Sequence, residues 1–452
     1  MNVIIVGCGR VGRTLAEKLN SDGGNSVTVV DMDAAKVRSL TDSFDIMGVV
    51  GNGATHTTLR EAGIKSADLF IAVTNSDELN LLCCMIAKKE GECQTIARLK
   101  SPEYSEESAY LQNELGLALV INPEYAAAEE IARILRFPAA MKIEPFAQGK
   151  VELIKFRLPE ESNIVGLSVK EVMLRYRCDV LVCTIERGEE SYIANGDFVF
   201  EGKDVITLVA SPQNAKDFFN VINYKGHSIK DAVVVGGGVI THYLCEILER
   251  SGIALKVIDK DVKVCEELAG LFPKCKIIHG NATEQELLLE EGVKKAGAFV
   301  ALSKYDEENI LLSMFAQESC EGKLITKIDR SDYDNVLNRL ELDTIICPIR
   351  ITSDVILRYV RSARNKRGSN METLYNIIPG EVEAAEFIVK EKSPITKKPL
   401  SQLRFKENVL VASICRDDKV FIPRGHDEIQ AGDAVVIVSK TTGLRDITDV
   451  LR

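Results

Sequence analysis

No apolar run in the 452 residues approaches the ~20 needed to cross a bilayer as a helix. Any membrane role is therefore expected to run through a partner. Strand-like Val3-Ile4-Ile5-Val6 starts at once, which leads us to expect no signal peptide and a cytoplasmic location. Basic excess is missing too. The net charge is −11, which argues against nucleic acid as the main partner, because phosphate contacts need a basic face.

The 12 cysteines contain no Cys-x-x-Cys pair, so neither zinc nor a dithiol redox motif is indicated. Cys83, Cys84, Cys183, Cys245, Cys265 and Cys320 sit inside apolar patterns, where a thiol behaves as a small hydrophobe. Vicinal Cys83-Cys84 is read as packing, since nothing cationic flanks it to lower a thiol pKa. His56, His227, His242, His279 and His426 form no i, i+4 pair or ligand cluster. A Gly-x-Ser-x-Gly elbow and a Walker lysine are absent as well. What is there is ordinary for a soluble globular chain: 27% charged residues and a mean hydropathy of +0.01.

Two matching halves carry the same loop. Residues 7–12 read Gly-Cys-Gly-Arg-Val-Gly, and residues 236–241 read Gly-Gly-Gly-Val-Ile-Thr, 229 residues later. Asp31 answers to Asp259, Asn52 to Asn281, and Asn80 to Asn309. The period is too long for a solenoid and marks a duplicated domain.

In the first half, apolar runs at Val3–Val6, Val27–Val30, Ile46–Val50, Leu69–Val73, Thr95–Ala97 and Leu119–Ile121 alternate with helix-period stretches. Such alternation predicts α/β, a doubly wound parallel sheet of Rossmann type, in each half. Helices are expected over about Glu124–Leu135 and Thr352–Arg364. Two smaller strand-rich units follow the large ones, each with one short helix, near Lys170 and Ser401. Val180-Leu181-Val182-Cys183 matches Val409-Leu410-Val411-Ala412, and Glu201-Gly202-Lys203-Asp204-Val205 is set beside Ala431-Gly432-Asp433-Ala434-Val435. Length alone predicts roughly three domains. The pattern gives four: 1–141, 142–226, 227–371 and 372–452.

Gly7-x-Gly9-x-x-Gly12 follows a strand and opens a helix, the context in which such a loop cradles a pyrophosphate. The helix N-terminus supplies amide donors, and Arg10 and Arg13 would add charge. Asp31 ends the second strand, where an acid accepts from a ribose diol and repels a 2′-phosphate. That favours NAD(H) over NADP(H); ATP and ADP share the diol and stay open. Thr74 and Asn75 end the fourth strand and are expected near the ligand. In the second loop Thr241 replaces the third glycine, and no basic residue is expected at the places of Arg10 and Arg13. Looser helix packing and weaker binding follow. Arg98 and Lys327 put a cation at the end of each fifth strand, suited to a ligand phosphate or a cross-domain salt bridge. His56 and His279 lie by the third-strand loops, with local hydrogen bonding the simpler role. Arg358, Arg361, Arg364, Lys366 and Arg367 fit either a helix dipole or an anionic lipid or acidic partner.

The large–small–large–small order, GCGRVG, Asp31 and the GNGA, AVTNSDELN and IARLKSPEY stretches together resemble the tandem RCK (KTN) family of potassium-transport regulators. The resemblance covers the whole chain. It implies an RCK N-terminal nucleotide-binding domain and a small α+β RCK C-terminal domain in each half. A homo-oligomeric ring, dimer to tetramer, is also implied, at the inner face of the membrane under a potassium transporter subunit of the TrkH/TrkG type. Nucleotide contact is implied at Gly7, Cys8, Gly9, Arg10, Val11, Gly12, Asp31, Val73, Thr74 and Arg98. In the second half it is implied at Gly236, Gly237, Gly238, Val239, Ile240 and Asp259, less strictly because of Thr241. The expected function is a non-enzymatic sensor of NAD(H) or ATP/ADP. The alternative is an NAD-dependent oxidoreductase whose substrate site is not recognised, and a redox sensor acting on DNA stands third.

Overall fold

The computed structural model describes residues 1–21, 24–138, 140–146, 150–188, 190–222, 229–249, 251–330, 342–365, 371–378, 380–390, 393–417, 419–440, 444 and 446–452. The chain forms two compact units, Met1–Arg136 with Ser228–Leu357, and Phe137–His227 with Arg358–Arg452. The two large domains thus join in one unit and the two small ones in the other.

In the first unit, strands β1 (Asn2–Val6), β2 (Ser26–Asp31), β3 (Met47–Val50), β4 (Leu69–Ala72), β5 (Gln94–Arg98) and β6 (Leu119–Ile121) form a parallel sheet in the order β3-β2-β1-β4-β5-β6. Val6 pairs with Val30 on one side and Ala72 on the other. Helices α1 (Arg10–Ser21), α2 (Ala34–Ser43), α3 (His56–Glu61), α4 (Asp77–Glu90), α5 (Pro102–Glu106), α6 (Ser108–Glu114) and α7 (Pro123–Arg136) belong to this half. Strands covered on both faces are near-continuously apolar, which is why the buried residues of β1 and β4 read Val-Ile-Ile-Val and Leu-Phe-Ile-Ala. Asp33 caps α2 by accepting from the Ala35 and Lys36 amides. Ser76 caps α4 through the Leu79 amide. Asn122 accepts from the Tyr125 amide, and Pro123 sits in the first turn of α7, where its missing N–H costs nothing.

The small unit of the first half contributes β7 (Ala140–Phe146), β8 (Val151–Arg157), β9 (Leu181–Arg187), β10 (Glu190–Ile193) and β11 (Val205–Ala210), with α8 (Val169–Tyr176) and α9 (Pro212–Val221). The second large domain repeats the first: β12 (Asp231–Val235), β13 (Ala254–Asp259), β14 (Lys276–His279), β15 (Ala298–Ala301), β16 (Lys323–Lys327) and β17 (Thr344–Ile346) in the order β14-β13-β12-β15-β16-β17. Its helices are α10 (Val239–Glu249), α11 (Val262–Leu271), α12 (Gln285–Glu290), α13 (Asp306–Ser319) and α14 (Pro348–Asn365). The last sheet holds β18 (Met371–Ile378), β19 (Val382–Ile388), β20 (Val409–Arg416), β21 (Lys419–Phe421) and β22 (Ala434–Ser439). The small sheets are antiparallel, β10-β9-β11-β8-β7 and β18-β19-β22-β20-β21, which is the same order read from opposite edges.

The halves of the first unit meet through their helices. Ala127, Ala128, Ile131, Ala132 and Leu135 of α7 share one core with Tyr243, Leu244 and Leu248 of α10. Alanines on α7 let the helices approach closely. Reciprocally, Lys18 of α1 pairs with Asp354 of α14 at 2.8 Å. In the second unit, Leu153, Cys183 and Val209 of one sheet share a core with Ala384, Ala412 and Val436 of the other. Each sheet carries a buried aspartate gripped by arginine. Arg187 holds Asp204 with two 2.8 Å bonds, and Arg416 holds Asp433 with bonds of 2.8 and 2.7 Å.

Four expectations need correction. The first small domain has two helices, because Ser211 caps α9 through the Asn214 amide and Pro212 starts it; near Ser401 there is only a 3-10 turn, Leu400–Gln402. Helix α14 begins at Pro348, a turn before Thr352. The small-domain repeat keeps the offset of 229, since Arg187, Lys203 and Asp204 answer to Arg416, Gly432 and Asp433; setting Lys203 beside Asp433 was one residue out. Lys203 and Gly432 share a left-handed backbone, φ +73° and +90°. Fourth, His242 stands at the place of Arg13. His227, Lys366 and Arg367 and the side chains of Arg358, Arg361 and Arg364 lie outside the described residues. Among the described residues, no helix is long and apolar enough to cross a membrane.

Candidate functional site

Gly7 leaves β1 with φ +105°, and a Cβ there would stand 2.9 Å from the Val73 carbonyl. The turn therefore lies on the end of β4, bringing Gly7, Val73 and Thr74 together. At Gly12 a Cβ would meet the Gly7 carbonyl oxygen at 1.8 Å, so α1 rests directly on the loop. Gly9 has open space before it, nothing lying within 4 Å of its would-be Cβ. Asp31 at the end of β2 is tied into the loop, Oδ2 accepting from the Cys8 amide at 2.7 Å and Oδ1 from the Asp33 amide at 2.9 Å. Burial, with Asp31 adding to it, pushes the Cys8 thiol up to about 12, so this sulfur is a packing group. Val11 is buried in α1. Of the two arginines, Arg13 donates to the Ser39 hydroxyl at 3.1 Å, and exposed Arg10 reaches Asp329 of the second half at 3.5 Å.

The second loop repeats this construction. Gly236 has φ +103°, the Gly237 amide donates to Asp259 Oδ2 at 2.6 Å, and the Asp261 amide to Oδ1 at 2.8 Å. Gly238 again faces open space. Thr241, fully buried, donates its hydroxyl to the Gly236 carbonyl. The expected loosening at this position is thus bridged: α10 stands far enough off to admit a side chain, and that side chain fastens it to the loop. Val239 is exposed and Ile240 buried. The ring of His242 packs edge-on to Phe272, centroids 5.0 Å apart.

In front of this loop lies a cavity of about 580 Å³, walled by Gly236, Gly238, Val239, Asp259, Asn281, Ser303, Tyr305, Lys327 and Asp329, and also by Lys100 and Glu124 of the first half. Arg98 holds Glu124 at 3.2 Å, and Lys327 holds Asp329 at 3.3 Å. Both strand-end cations therefore pair within their own half. Arg98 Nε and Glu124 Oε2 are buried with no hydrogen-bond partner among the described residues.

Two duplicated devices set this geometry, and the sequence reading did not assign either. Fully buried Asn80 accepts from the Thr74 amide at 2.8 Å and donates to the Arg98 carbonyl at 2.9 Å; Asn309 does the same with Ser303 (2.8 Å) and Lys327 (3.0 Å). Thr74 spends its hydroxyl on Asn80 as well. Asp77 accepts from the Lys100 and Ser101 amides, and Asp306 from those of Asp329 and Arg330, all at 2.9–3.0 Å. The constant 229-residue offset flagged the asparagines; the aspartates carried the same signal unread. His56 pairs with Glu90 at 3.0 Å, and His279 contacts the Lys260 carbonyl at 3.1 Å, each within its own half. Among the described residues, no group of three His, Cys, Asp or Glu side chains is placed to hold a metal. Chemically the site offers backbone amides, a carboxylate at the end of the second strand in each half, and open space before Gly9 and Gly238.

Comparison with known proteins matches this arrangement along the chain. Residues 3–123 and 232–348 match the TrkA-N domain, and residues 153–223 and 384–452 the TrkA-C domain. The Trk system potassium uptake protein TrkA homolog 1 of Methanosarcina mazei is 30% identical over 99% of both chains. Its counterpart TrkA in Halomonas elongata is 29% identical, covering 99% of this chain and 98% of that one. The fold is shared with the GsuK channel bound to NAD, with a TM-score of 0.63 at 16% identity over 97% of this chain and 77% of that one. It is shared too with GsuK bound to ADP, at 0.51 and 14% over 79% and 69%. With alternating TrkA-N and TrkA-C domains along its length and full-length relatives of the same build, the chain belongs to the TrkA family of potassium-transport regulatory proteins.

Proposed function

We propose that the protein is a cytosolic, nucleotide-sensing regulatory subunit that gates a Trk-type membrane potassium uptake transporter and carries out no turnover of its own. The observation that carries the reading is the twofold occurrence of one device: a glycine loop whose second amide is held by the acid ending the next strand, Asp31 on Cys8 and Asp259 on Gly237. Open space before Gly9 and Gly238 fits a pyrophosphate approaching the backbone. Gly7–Gly12 with Val73 and Thr74 would hold a nucleotide in the first half, Gly236–Ile240 in the second. Asp31 and Asp259 would take the ribose hydroxyls. NAD(H), ATP and ADP all present that diol; relatives in fold are known with NAD and with ADP. Arg98, tied to Glu124, would act on a phosphate at one remove.

A nucleotide changes a regulator's shape only by binding one shape better, and a difference of about 1–3 kcal/mol suffices for useful coupling. The close packing of α7 on α10 gives each half a direct hold on the other. The partner is an integral-membrane subunit of TrkH/TrkG type, under which copies of this chain assemble as a ring of two to four, through the four domains at 1–141, 142–226, 227–371 and 372–452.

The test is calorimetric titration of the whole protein with NADH, NAD, ATP and ADP, absorbance being followed for NADH oxidation, beside Asp31→Ala and Asp259→Ala. Tight binding without consumption, reduced by either substitution, is expected. Steady NADH oxidation would replace the sensor by an oxidoreductase, and absence of binding would end the nucleotide reading.

A further inference from the structure

We infer that Lys100, a residue of the first half, supplies a phosphate-facing cation to the second glycine loop, which carries none of its own. The inference rests on the nucleotide reading of that loop. In the first loop the residue after the second glycine is Arg10; its counterpart is Val239. At the strand end facing each loop, Asp329 is the counterpart of Lys100. The structure brings these four together crosswise. Arg10 lies 3.5 Å from Asp329, while Val239 and Lys100 line the same cavity before the second loop. On one side the cation is on the loop and an acid faces it. On the other the loop is apolar, and Lys100 is the cation that the opposing half adds to a wall already holding Lys260, Lys304 and Lys327.

Lys100 is held for this task by both halves. Its amide donates to Asp77 at 2.9 Å, and its carbonyl accepts from the Tyr243 hydroxyl at 3.1 Å. Tyr243 belongs to α10, the helix that springs from the second loop, and only 2% of it is exposed. Nearby charges leave the lysine available. Glu124 holds Arg98 through Oε1 while its Oε2 is buried, Asp329 is taken by Lys327 and Arg10, and Glu308 accepts from the Ser303 hydroxyl. Glu78, the acid that feels Lys100, is bonded by the Ser76 and Tyr104 hydroxyls. The Lys100 ammonium makes no salt bridge among the described residues. An ammonium of this kind beside backbone amides is a phosphate-binding arrangement, and the ligand class it fits is a nucleoside diphosphate, free or within a dinucleotide. Occupancy of the second site then depends on the first half staying docked, so nucleotide binding reports on the contact between halves.

The experiment uses the full chain carrying Asp31→Ala, which silences the first loop, titrated with ADP and NADH by calorimetry. Adding Lys100→Ala is expected to weaken binding about tenfold to a hundredfold, the worth of one charged hydrogen bond. It should also flatten the dependence on salt. Lys100→Arg should hold the affinity, and Val239→Arg should restore it in the Lys100→Ala protein, a rescue that a merely structural lysine would not permit. Unchanged affinity in Lys100→Ala, with binding still lost in Asp259→Ala, overturns the role of Lys100 and leaves the nucleotide site standing. No titratable binding that depends on Asp259 overturns both.

Discussion

Gly12 and the carbonyl of Gly7 are in such close contact that a Cβ at residue 12 would stand 1.8 Å from the oxygen, whereas Thr241, at the same place in the second half, donates its hydroxyl to the carbonyl of Gly236. One loop is closed by removing a side chain and the other by using one. Gly12→Ala should push α1 off its loop and abolish nucleotide binding at the first site, leaving the second intact. Thr241→Val removes the bridging donor and should cost about 1 kcal/mol with a weaker second site. Titration of each variant in an Asp31→Ala or Asp259→Ala background separates the two; a first site unharmed by Gly12→Ala would contradict the close contact.

Asn309 ties the end of β15 to the end of β16 beside the cavity. Removing it strands a half-buried amide and a buried carbonyl. Asn309→Ala should destabilise the first unit by about 2–4 kcal/mol, and Asn309→Asp by a similar amount, since a carboxylate cannot donate to the Lys327 carbonyl. Amide hydrogen exchange along β15 and β16 checks this, faster exchange being expected there and not in the small sheets.

Asp433 is 1% exposed and held by two bonds from Arg416. Asp433→Ala leaves the partly exposed guanidinium with only the Glu428 carbonyl and should cost about 2–3 kcal/mol, read as earlier denaturant unfolding of the second unit. The neighbouring turn offers a gentler contrast. Gly432 (φ +90°) has open space around it, and Lys203 (φ +73°) fills the equivalent place. Gly432→Ala should therefore destabilise by about 1 kcal/mol through backbone strain alone, with Lys203→Gly neutral or mildly stabilising.

Burial pushes the thiols of Cys8, Cys83 and Cys183 up to about 12 from an ordinary 9. Above pH 9 the unfolded chain loses these protons while the folded chain keeps them. The unfolded state then binds fewer protons, so stability is full below pH 9 and falls as pH rises from 9 toward 12. Urea unfolding across that window should show the fall, shallower in Cys183→Ala. The same thiols should resist alkylation in the native protein at neutral pH.

Much of the fold was legible because it rests on local rules. Near-continuous apolar strands separated by helices left the parallel sheets little alternative, and the glycine loop carried its own steric logic. The α9 helix was missed although Ser211-Pro212 announces it, because the surrounding strands dominated the pattern. The register of the small domains slipped by one because two glycines, Gly202 and Gly432, look like one turn, while the left-handed residues are Lys203 and Gly432. A cysteine pattern free of metal or redox spacing was a sound guide to buried thiols at Cys83 and Cys84.

By itself the sequence determined the duplication, the alternation of large and small domains, and the acid at the end of each second strand, since these follow from periodicity and from spacing along one chain. Only the tertiary structure decided that both large domains share one core through α7 and α10, that Arg10 faces Asp329, and that Lys100 enters the wall of the other half's cavity. The reason is distance along the chain. Contacts between residues more than a hundred positions apart depend on how packed faces meet, and side-chain shape and charge settle that only once the helices are in place.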